Sequence, residues 1–334
     1  MICALLNSYY KLGLMNPESI SNDAQLDASG KLIHLLGLRG LPKTELEHIL
    51  DVADDLLDNQ GNLKKSKALD DMSVANLFFE PLTRTRNTFE IAAKRTSAHT
   101  INVDLANSAT KKNETLMDTM QTLKAMQIDM FVIRHKKNGL PHHIANNIDG
   151  VAIINAGDGI NAPPTQALLD MMTIRQHKGS FEDLSVAIIG DIRHSRVAHS
   201  DIRALSTLGV KDIRLVAPQY LQYKGTLTQG ISRIDNLQEG IDGVDVVMTL
   251  RLQKERMVAA DIPDEQTYSK TYGITEEKLK LAHPQAIVMH PGPVNRGIEL
   301  DSSVADGPQS VILQQVTNGI AVRMAVMVVL AGKA

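Results

Sequence analysis

The run Pro81-Leu82-Thr83-Arg84-Thr85-Arg86 brings hydroxyls and guanidinium groups together, directly after Phe78-Phe79-Glu80 and before a segment with helical spacing. A helix that begins here presents unpaired backbone N–H groups and the positive end of its dipole, which suits a phosphate. Thr83 and Thr85 add hydroxyl donors, and Arg84 adds a cation able to bind an oxyanion with two parallel hydrogen bonds. The run is not a Walker A loop, because the glycines and the Lys-Ser/Thr pair are absent. A capped helix with surface arginines is the competing reading, and this segment alone leaves both open.

The only cysteine is Cys3, which excludes an intrachain disulfide and any cysteine-based zinc site. The histidines show no ligand spacing; His142 and His143 are adjacent, point apart in any regular structure, and read as solvated surface. No metal or cofactor is expected.

The elements that must position the 81–86 run follow from alternation along the chain. Apolar residues recur at Leu46, Ile49, Leu50, Ala53 and Leu57, which predicts a helix over 41–57 with Pro42 near its first turn. β-rich runs at 74–79, 100–103, 130–133 and 151–154 alternate with helical stretches at 85–94, 114–126 and 140–147. A helix over 164–177, opened by proline, leads into a second set of strands at 185–189, 212–216, 244–249 and 286–289, with helices near 195–208 and 275–282. Strand–helix alternation of this kind predicts an α/β chain of two doubly wound parallel-sheet domains joined by helices. The long apolar segment 310–330 reads as a buried helix, and 16–31 as a polar, flexible arm.

The chain has 334 residues, 43% of them hydrophobic, which suffices for two ordinary cores. Its formal net charge of -3 gives no reason to expect nucleic acid or an anionic membrane as partner. Residues 1–15 lack a basic start and a small-residue cleavage site and fall short of a membrane span. Met1 and Met15 both stand as candidate starts. A cytoplasmic location is the natural expectation from the cysteine usage.

The run FFEPLTRTRNTFE resembles the carbamoyl-phosphate signature of the aspartate and ornithine carbamoyltransferases, whose usual form has Ser-Thr-Arg-Thr-Arg. Further blocks follow in the family's order: KKNETLMDT, Ile133-Arg134-His135, NAGDGINAPPTQALLD, GDIRHSRVAHS, LRLQKER, and His290-Pro291-Gly292-Pro293. The resemblance runs from about residue 35 to the C-terminus and is carried by all the blocks in order. It implies an N-terminal extension over 1–40, a carbamoyl-phosphate-binding domain over 41–163 and an aspartate-binding domain over 164–309. A C-terminal helix at 310–334 would pack back on the first domain. It also implies a catalytic homotrimer with active sites shared between neighbouring subunits. The extension is similar to the arm of larger bacterial members, which associates with a dihydroorotase-like or regulatory partner.

The resemblance further assigns roles. Thr83, Arg84 and Thr85 would hold the phosphate of carbamoyl phosphate, and Arg134 would reach both phosphate and carbonyl oxygen. Ser108 and Lys112 match a loop that enters the adjacent subunit's site, where Lys112 meets both substrates; Lys112 alone would read as a solvated lysine. Gln166 would meet the carbamoyl amide with the backbone around Pro291 and Gly292. Arg196, Arg251 and Gln253 match the positions that hold the two carboxylates of aspartate, as the charge of that substrate requires. An ornithine enzyme typically has His-Cys-Leu-Pro where this chain has His290-Pro291-Gly292-Pro293. The implied reaction is carbamoyl transfer to the amine of L-aspartate, giving N-carbamoyl-L-aspartate and phosphate in pyrimidine biosynthesis.

Three positions depart from the pattern. Leu82 replaces a serine that donates to the phosphate and caps the helix, at a cost of about 1 kcal/mol as a cap. Pro163 replaces a histidine that donates to the carbamoyl oxygen, and proline offers no side-chain or backbone donor. Asn113 replaces a glycine after the loop lysine. Two expectations therefore stand: an aspartate carbamoyltransferase with reduced turnover, or an impaired family member acting as an assembly or regulatory subunit.

Overall fold

The computed structural model describes residues 23–80, 83–103, 115–159, 163–257 and 262–334. In chain order the principal elements are α1 (Lys43–Asp55), β1 (Ser73–Phe78), α2 (Thr83–Arg95), β2 (His99–Val103), α3 (Leu116–Ala125), β3 (Met130–His135), α4 (Leu140–Ala145), β4 (Ala152–Asp158) and α5 (Pro164–Lys178). They continue as β5 (Ser185–Ile189), α6 (Arg196–Leu208), β6 (Asp212–Val216), β7 (Ile231–Ile234), α7 (Leu237–Ile241), β8 (Val246–Thr249), α8 (Glu265–Tyr272), α9 (Glu276–Leu279), β9 (Ile287–Met289), α10 (Ser302–Ala305) and α11 (Ile312–Leu330).

The chain divides into two compact units. The first comprises the described residues up to Leu41, together with 51–165 and 320–334; the second comprises 42–50 and 166–319. The first sheet has strand order β2-β1-β3-β4 and the second β7-β6-β5-β8-β9, with every pair parallel. Strands such as β3 (MFVIRH) and β5 (SVAII) are almost continuously apolar and buried, as strands covered on both faces must be.

In the first unit the core gathers Leu77, Met120, Phe131, Ile133 and Ile153. Residues preceding α1 take part in it. The Leu35 N–H donates to Ile153 O at 2.9 Å, and Gln25 Oε1 accepts the N–H groups of Leu36 and Gly37 at 2.6 and 2.9 Å. Residues 23–31, read from sequence as part of a flexible arm, therefore include a buried anchor, and Asp27 closes their turn by accepting from Ser29 and Lys31.

Other expectations need correction. His142 is buried and His143 half-buried; α4 carries an apolar face formed by Pro141, Ile144 and Ala145 that takes His142 in with it. Burial lowers the His142 pKa, opposed by the Asp158 carboxylate. The edge strand β7 and helix α8 were not foreseen, because β7 has only 4 residues and α8 is rich in polar residues. Helix α11 is long and apolar enough to cross a membrane, but residues 321–329 are all buried within the chain. Arg323 on this helix is also buried, and its guanidinium lies 4.9 Å from the centre of the Phe89 ring.

The second unit encloses a polar knot. Asp170 on α5 and Asp201 on α6 are both fully buried. Burial first, and then the neighbouring Asp170, push the Asp201 pKa well above the usual carboxylate range. An acid with a raised folded pKa contributes stability that is fully present below its unfolded pKa near 3.8 and lost as pH rises toward and through the folded value. Asp201→Asn is nearly isosteric and removes the titration. Its stability relative to wild type should therefore be close to neutral at pH 4 and increasingly favourable at pH 7 and 8.5 in urea denaturation. A difference independent of pH would contradict the raised Asp201 pKa.

Candidate active site

In an open parallel sheet, ligands bind beyond the carboxyl ends of strands where the winding reverses. In the first unit the chain goes from β1 to β2 on one side and then to β3 on the other, so the reversal falls between β1 and β3. The 81–86 run follows β1, and Arg134 lies at the end of β3 opposite Phe78. Topology thus places the sequence-predicted phosphate residues at the first switch point. Helix α2 begins at Thr83 and has no acidic residue in its first turn, while Arg84 and Arg86 are exposed there. Cations at a helix N-terminus oppose its dipole, and a bound anion removes that conflict. Thr85 is half-buried, and its carbonyl accepts from the Thr88 hydroxyl at 2.9 Å. Leu82, Ser108, Lys112 and Asn113 lie outside the described residues, as does the side chain of Thr83.

Arg134 is the most constrained of these groups. Its register with β4 slips between Ile133 and His135, and such an irregularity re-aims a side chain. The guanidinium is buried; Nε donates to Glu80 Oε2 at 2.9 Å and Nη1 to Ala156 O at 3.1 Å. The close approach to the backbone depends on Gly157, which has φ 120°; a Cβ there would lie 1.7 Å from Arg134 Nη1. Asn155 and Asp158 brace the same turn: Asn155 Oδ1 accepts the Gly157 N–H at 2.8 Å, and its amide donates to Asp158 Oδ1 at 2.9 Å. Next to Arg134, burial, with the positive charges of Lys137 and Lys136, lowers the His135 pKa to about 4, so this imidazole is neutral at pH 7. Its Nδ1 accepts the Lys137 N–H at 2.9 Å.

In the second unit the winding reverses between β5 and β8. The segment after β5 carries Asp191 and Arg196, and the segment after β8 carries Arg251 and Gln253. Asp191 is fully buried and ties the two together. Its Oδ1 receives the His194 N–H and ring Nδ1 at 3.2 and 2.8 Å, and its Oδ2 accepts the Gln253 N–H at 3.0 Å. Arg196 opens α6 behind the N-cap Ser195, whose side chain accepts from Ala198 N–H. Gly190, with φ 121°, lets the ends of β5 and β8 meet, since a Cβ would come within 2.7 Å of Leu250 O. Arg251 pairs with Glu255, and the Gln253 side-chain amide donates to Arg251 O at 3.3 Å.

Gln166 lies on the first turn of α5, with its amide donating to both Asp170 oxygens at 3.2 Å. The Gly292 N–H donates to His290 Nδ1 at 2.7 Å, which fixes the turn through Pro291. Pro163 directly precedes α5 and is half-buried. Sequence reasoning missed Glu80, Gly157, Asp170 and Asp191. A buried arginine implies a carboxylate partner, so Glu80 beside the 81–86 run was findable; the others show only in three dimensions. Among the described residues no group of three or more His, Cys, Asp and Glu residues is arranged to hold a metal ion.

Two doubly wound units, each with arginines at its switch point, define a protein that binds two anionic ligands. Residues 33–176 match the aspartate/ornithine carbamoyltransferase carbamoyl-phosphate-binding domain, and residues 182–330 match the Asp/Orn-binding domain of the same family. The chain belongs to the aspartate/ornithine carbamoyltransferase family. It is 69% identical over 319 residues to the aspartate carbamoyltransferase catalytic subunit of Ruthia magnifica subsp. Calyptogena magnifica, covering 96% of this chain and 100% of that protein. The catalytic subunit of Vesicomyosocius okutanii subsp. Calyptogena okutanii (strain HA) is 68% identical over the same coverage. Among solved structures, aspartate transcarbamoylase from Trypanosoma cruzi in complex with carbamoyl aspartate and phosphate superposes with a TM-score of 0.78 at 30% identity. That match covers 90% of this chain and 96% of the other.

The placement of Arg134 against Gly157 yields a specific expectation. Gly157→Ala puts a Cβ at φ 120°, a strained backbone conformation, and forces the Arg134 guanidinium aside, so the variant should be less stable and have Arg134 displaced. A lost charge-assisted hydrogen bond is worth about 1.5–3 kcal/mol, or roughly ten- to a hundredfold in affinity. Calorimetric titration with inorganic phosphate should show weakening of that order; unchanged affinity would remove Gly157 from the site.

Proposed function

We infer that this chain transfers the carbamoyl group of carbamoyl phosphate to the amine of L-aspartate, giving N-carbamoyl-L-aspartate and phosphate for pyrimidine biosynthesis. The observation that carries the reading is the Arg134 guanidinium, fixed by Glu80 and Ala156 at the carbamoyl-phosphate switch point of a chain that matches both family domains.

In this reading Thr83, Arg84 and Thr85 hold the phosphate, and Arg134 spans phosphate and carbonyl oxygen. As the aspartate nitrogen attacks the carbamoyl carbon, negative charge gathers on that oxygen, where a preset guanidinium stabilises it best. The tetrahedral intermediate then expels phosphate, whose charge the same arginines accept. Gln166 and the backbone at Pro291 and Gly292 hold the carbamoyl amine. Arg196, Arg251 and Gln253 meet the aspartate carboxylates; Arg251 then exchanges Glu255 for the ligand. Catalysis of this kind rests on fixing two reactants in attack geometry.

The further features belong to the same proposal. The carbamoyl-phosphate domain spans 41–163 and the aspartate domain 164–309, in keeping with the family matches to 33–176 and 182–330. The chain works as a homotrimer in which Ser108 and Lys112 serve a neighbouring subunit, with a dihydroorotase-like or regulatory chain as a further partner. It resides in the cytoplasm, as suits a sequence with one cysteine.

The test is carbamoyl-aspartate formation by the purified protein at saturating substrates, beside a Leu82→Ser/Pro163→His variant. Turnover is expected in the wild type, and the variant should be about 100-fold faster, the usual worth of one oxyanion donor. A folded wild type that makes no product while the variant does would identify a non-catalytic member. Absence of product from both would overturn the assignment.

A further inference from the structure

Between the register pairs Ile133–Asn155 and His135–Asp158, β4 uses one residue more than β3, so the peptide unit joining Ala156 to Gly157 falls outside the regular ladder. A buried peptide in such a bulge must find partners for both of its polar ends. Here the Gly157 N–H donates to Asn155 Oδ1 at 2.8 Å, and the Ala156 carbonyl accepts from Arg134 Nη1 at 3.1 Å. The two groups lie on opposite edges of one planar unit, so holding the N–H aims the carbonyl. Glycine accepts either sign of φ, and a peptide that precedes it can turn over at little cost. The φ of 120° at Gly157 is kept by the grip on its N–H. A turned peptide would take the carbonyl off the guanidinium and present a donor to a cation.

Asn155 can grip because it is itself gripped. Its side chain is fully buried, and its amide nitrogen donates to Leu36 O at 2.8 Å and to Asp158 Oδ1 at 2.9 Å. With both amide hydrogens placed, its oxygen has to face Gly157. The Asn155 backbone is tied to the same segment, its N–H donating to Leu35 O at 2.8 Å. Residues 35–37 are held in turn by Gln25, whose Oε1 accepts the Leu36 and Gly37 N–H groups at 2.6 and 2.9 Å. Gln25 is buried, and its Nε2 meets no hydrogen-bond partner among the described residues, so the acceptor alone carries its part. Contacts thus pass from Gln25 through Leu36, Asn155 and the 156–157 peptide to Arg134, all within the first unit.

We propose that Asn155 and Gln25 are positioning residues for carbamoyl transfer: Asn155 keeps the 156–157 peptide from turning over and so points Arg134 at its ligand, and Gln25 keeps Asn155 in place. The proposal rests on the assignment of Arg134 to carbamoyl phosphate. It gives the segment before α1 a part in the reaction, although no side chain of that segment is assigned to a substrate.

The experiment compares wild type with Asn155→Leu, Gln25→Met and Gln25→Glu, each verified as folded by circular dichroism. Inorganic phosphate is the probe in calorimetric titration, and kcat and KM for carbamoyl phosphate are read at saturating aspartate. Asn155→Leu fills a similar volume but releases the peptide, and should weaken phosphate about tenfold. Its KM should rise and its kcat fall together, because Arg134 serves both the phosphate and the carbonyl oxygen. Gln25→Met acts one step further out, and a weakening of about threefold is expected. Gln25→Glu retains an oxygen that accepts both N–H groups, and should return phosphate affinity to within about twofold of wild type. A merely structural role would lower the stoichiometry of the titration and kcat through a smaller active fraction, and leave the phosphate dissociation constant and KM unmoved. Unchanged phosphate affinity in folded Asn155→Leu, or in Gln25→Met should Asn155→Leu not fold, would overturn the proposal, as would a Gln25→Glu no better than Gln25→Met. Wild-type phosphate binding and turnover would then leave the assigned reaction standing, whereas a wild type with neither would overturn both.

Discussion

Burying a guanidinium costs several kcal/mol unless its donors are met in fixed directions. At Arg134 those directions are set by Glu80 on one side and the Ala156 carbonyl on the other, and the space exists because residue 157 has no Cβ. Much of the first unit follows from this requirement. The turn from Asn155 to Asp158 is braced by its own side chains and by Asp158 accepting the Gly139 N–H at 2.7 Å. Asn155 also donates to Leu36 O at 2.8 Å, which draws the segment before α1 into the same framework. The arginine's remaining donors are thus directed before any ligand arrives, so the binding free energy is not spent on ordering it.

The second unit solves a related problem with carboxylates. Asp191 is buried and accepts from both strand-end segments that carry the arginines and glutamine expected to hold a dicarboxylate. Asp170 is buried and accepts from the amides of Gln315 and Gln166. In both cases a buried carboxyl group accepts several hydrogen bonds, and it orients polar neighbours that apolar packing would leave undetermined. The residues meeting substrate are therefore few, and the residues fixing them are buried side chains with no access to ligand.

That division explains what was legible in the sequence. Strands such as β3 and β5 are almost continuously apolar because both faces are covered, and they could be read directly. The short β7, with Ser232 and Arg233 exposed at a sheet edge, carries no such pattern, and His142 was misjudged because neighbouring histidines in α4 do not reveal which one faces the core. The motif positions Arg84, Thr85, Arg134, Gln166, Arg196 and Arg251 stood out by type and order. Their supports did not: Gly157 matters only through where Arg134 lies, and Gln315 lies 145 positions from the Asp170 it contacts. Burial, not spacing, gives those residues their role.

The central claim is that Arg134 is already set to bridge phosphate and carbonyl oxygen. The most direct measurement is a crystal structure with a non-hydrolysable carbamoyl phosphate analogue. The account predicts that Arg134 keeps its bonds to Glu80 and the Ala156 carbonyl while its remaining N–H donors contact both the phosphonate and the carbonyl oxygen of the analogue. An analogue bound without Arg134, or an Arg134 that must leave Glu80 and Ala156 to reach it, would contradict the account.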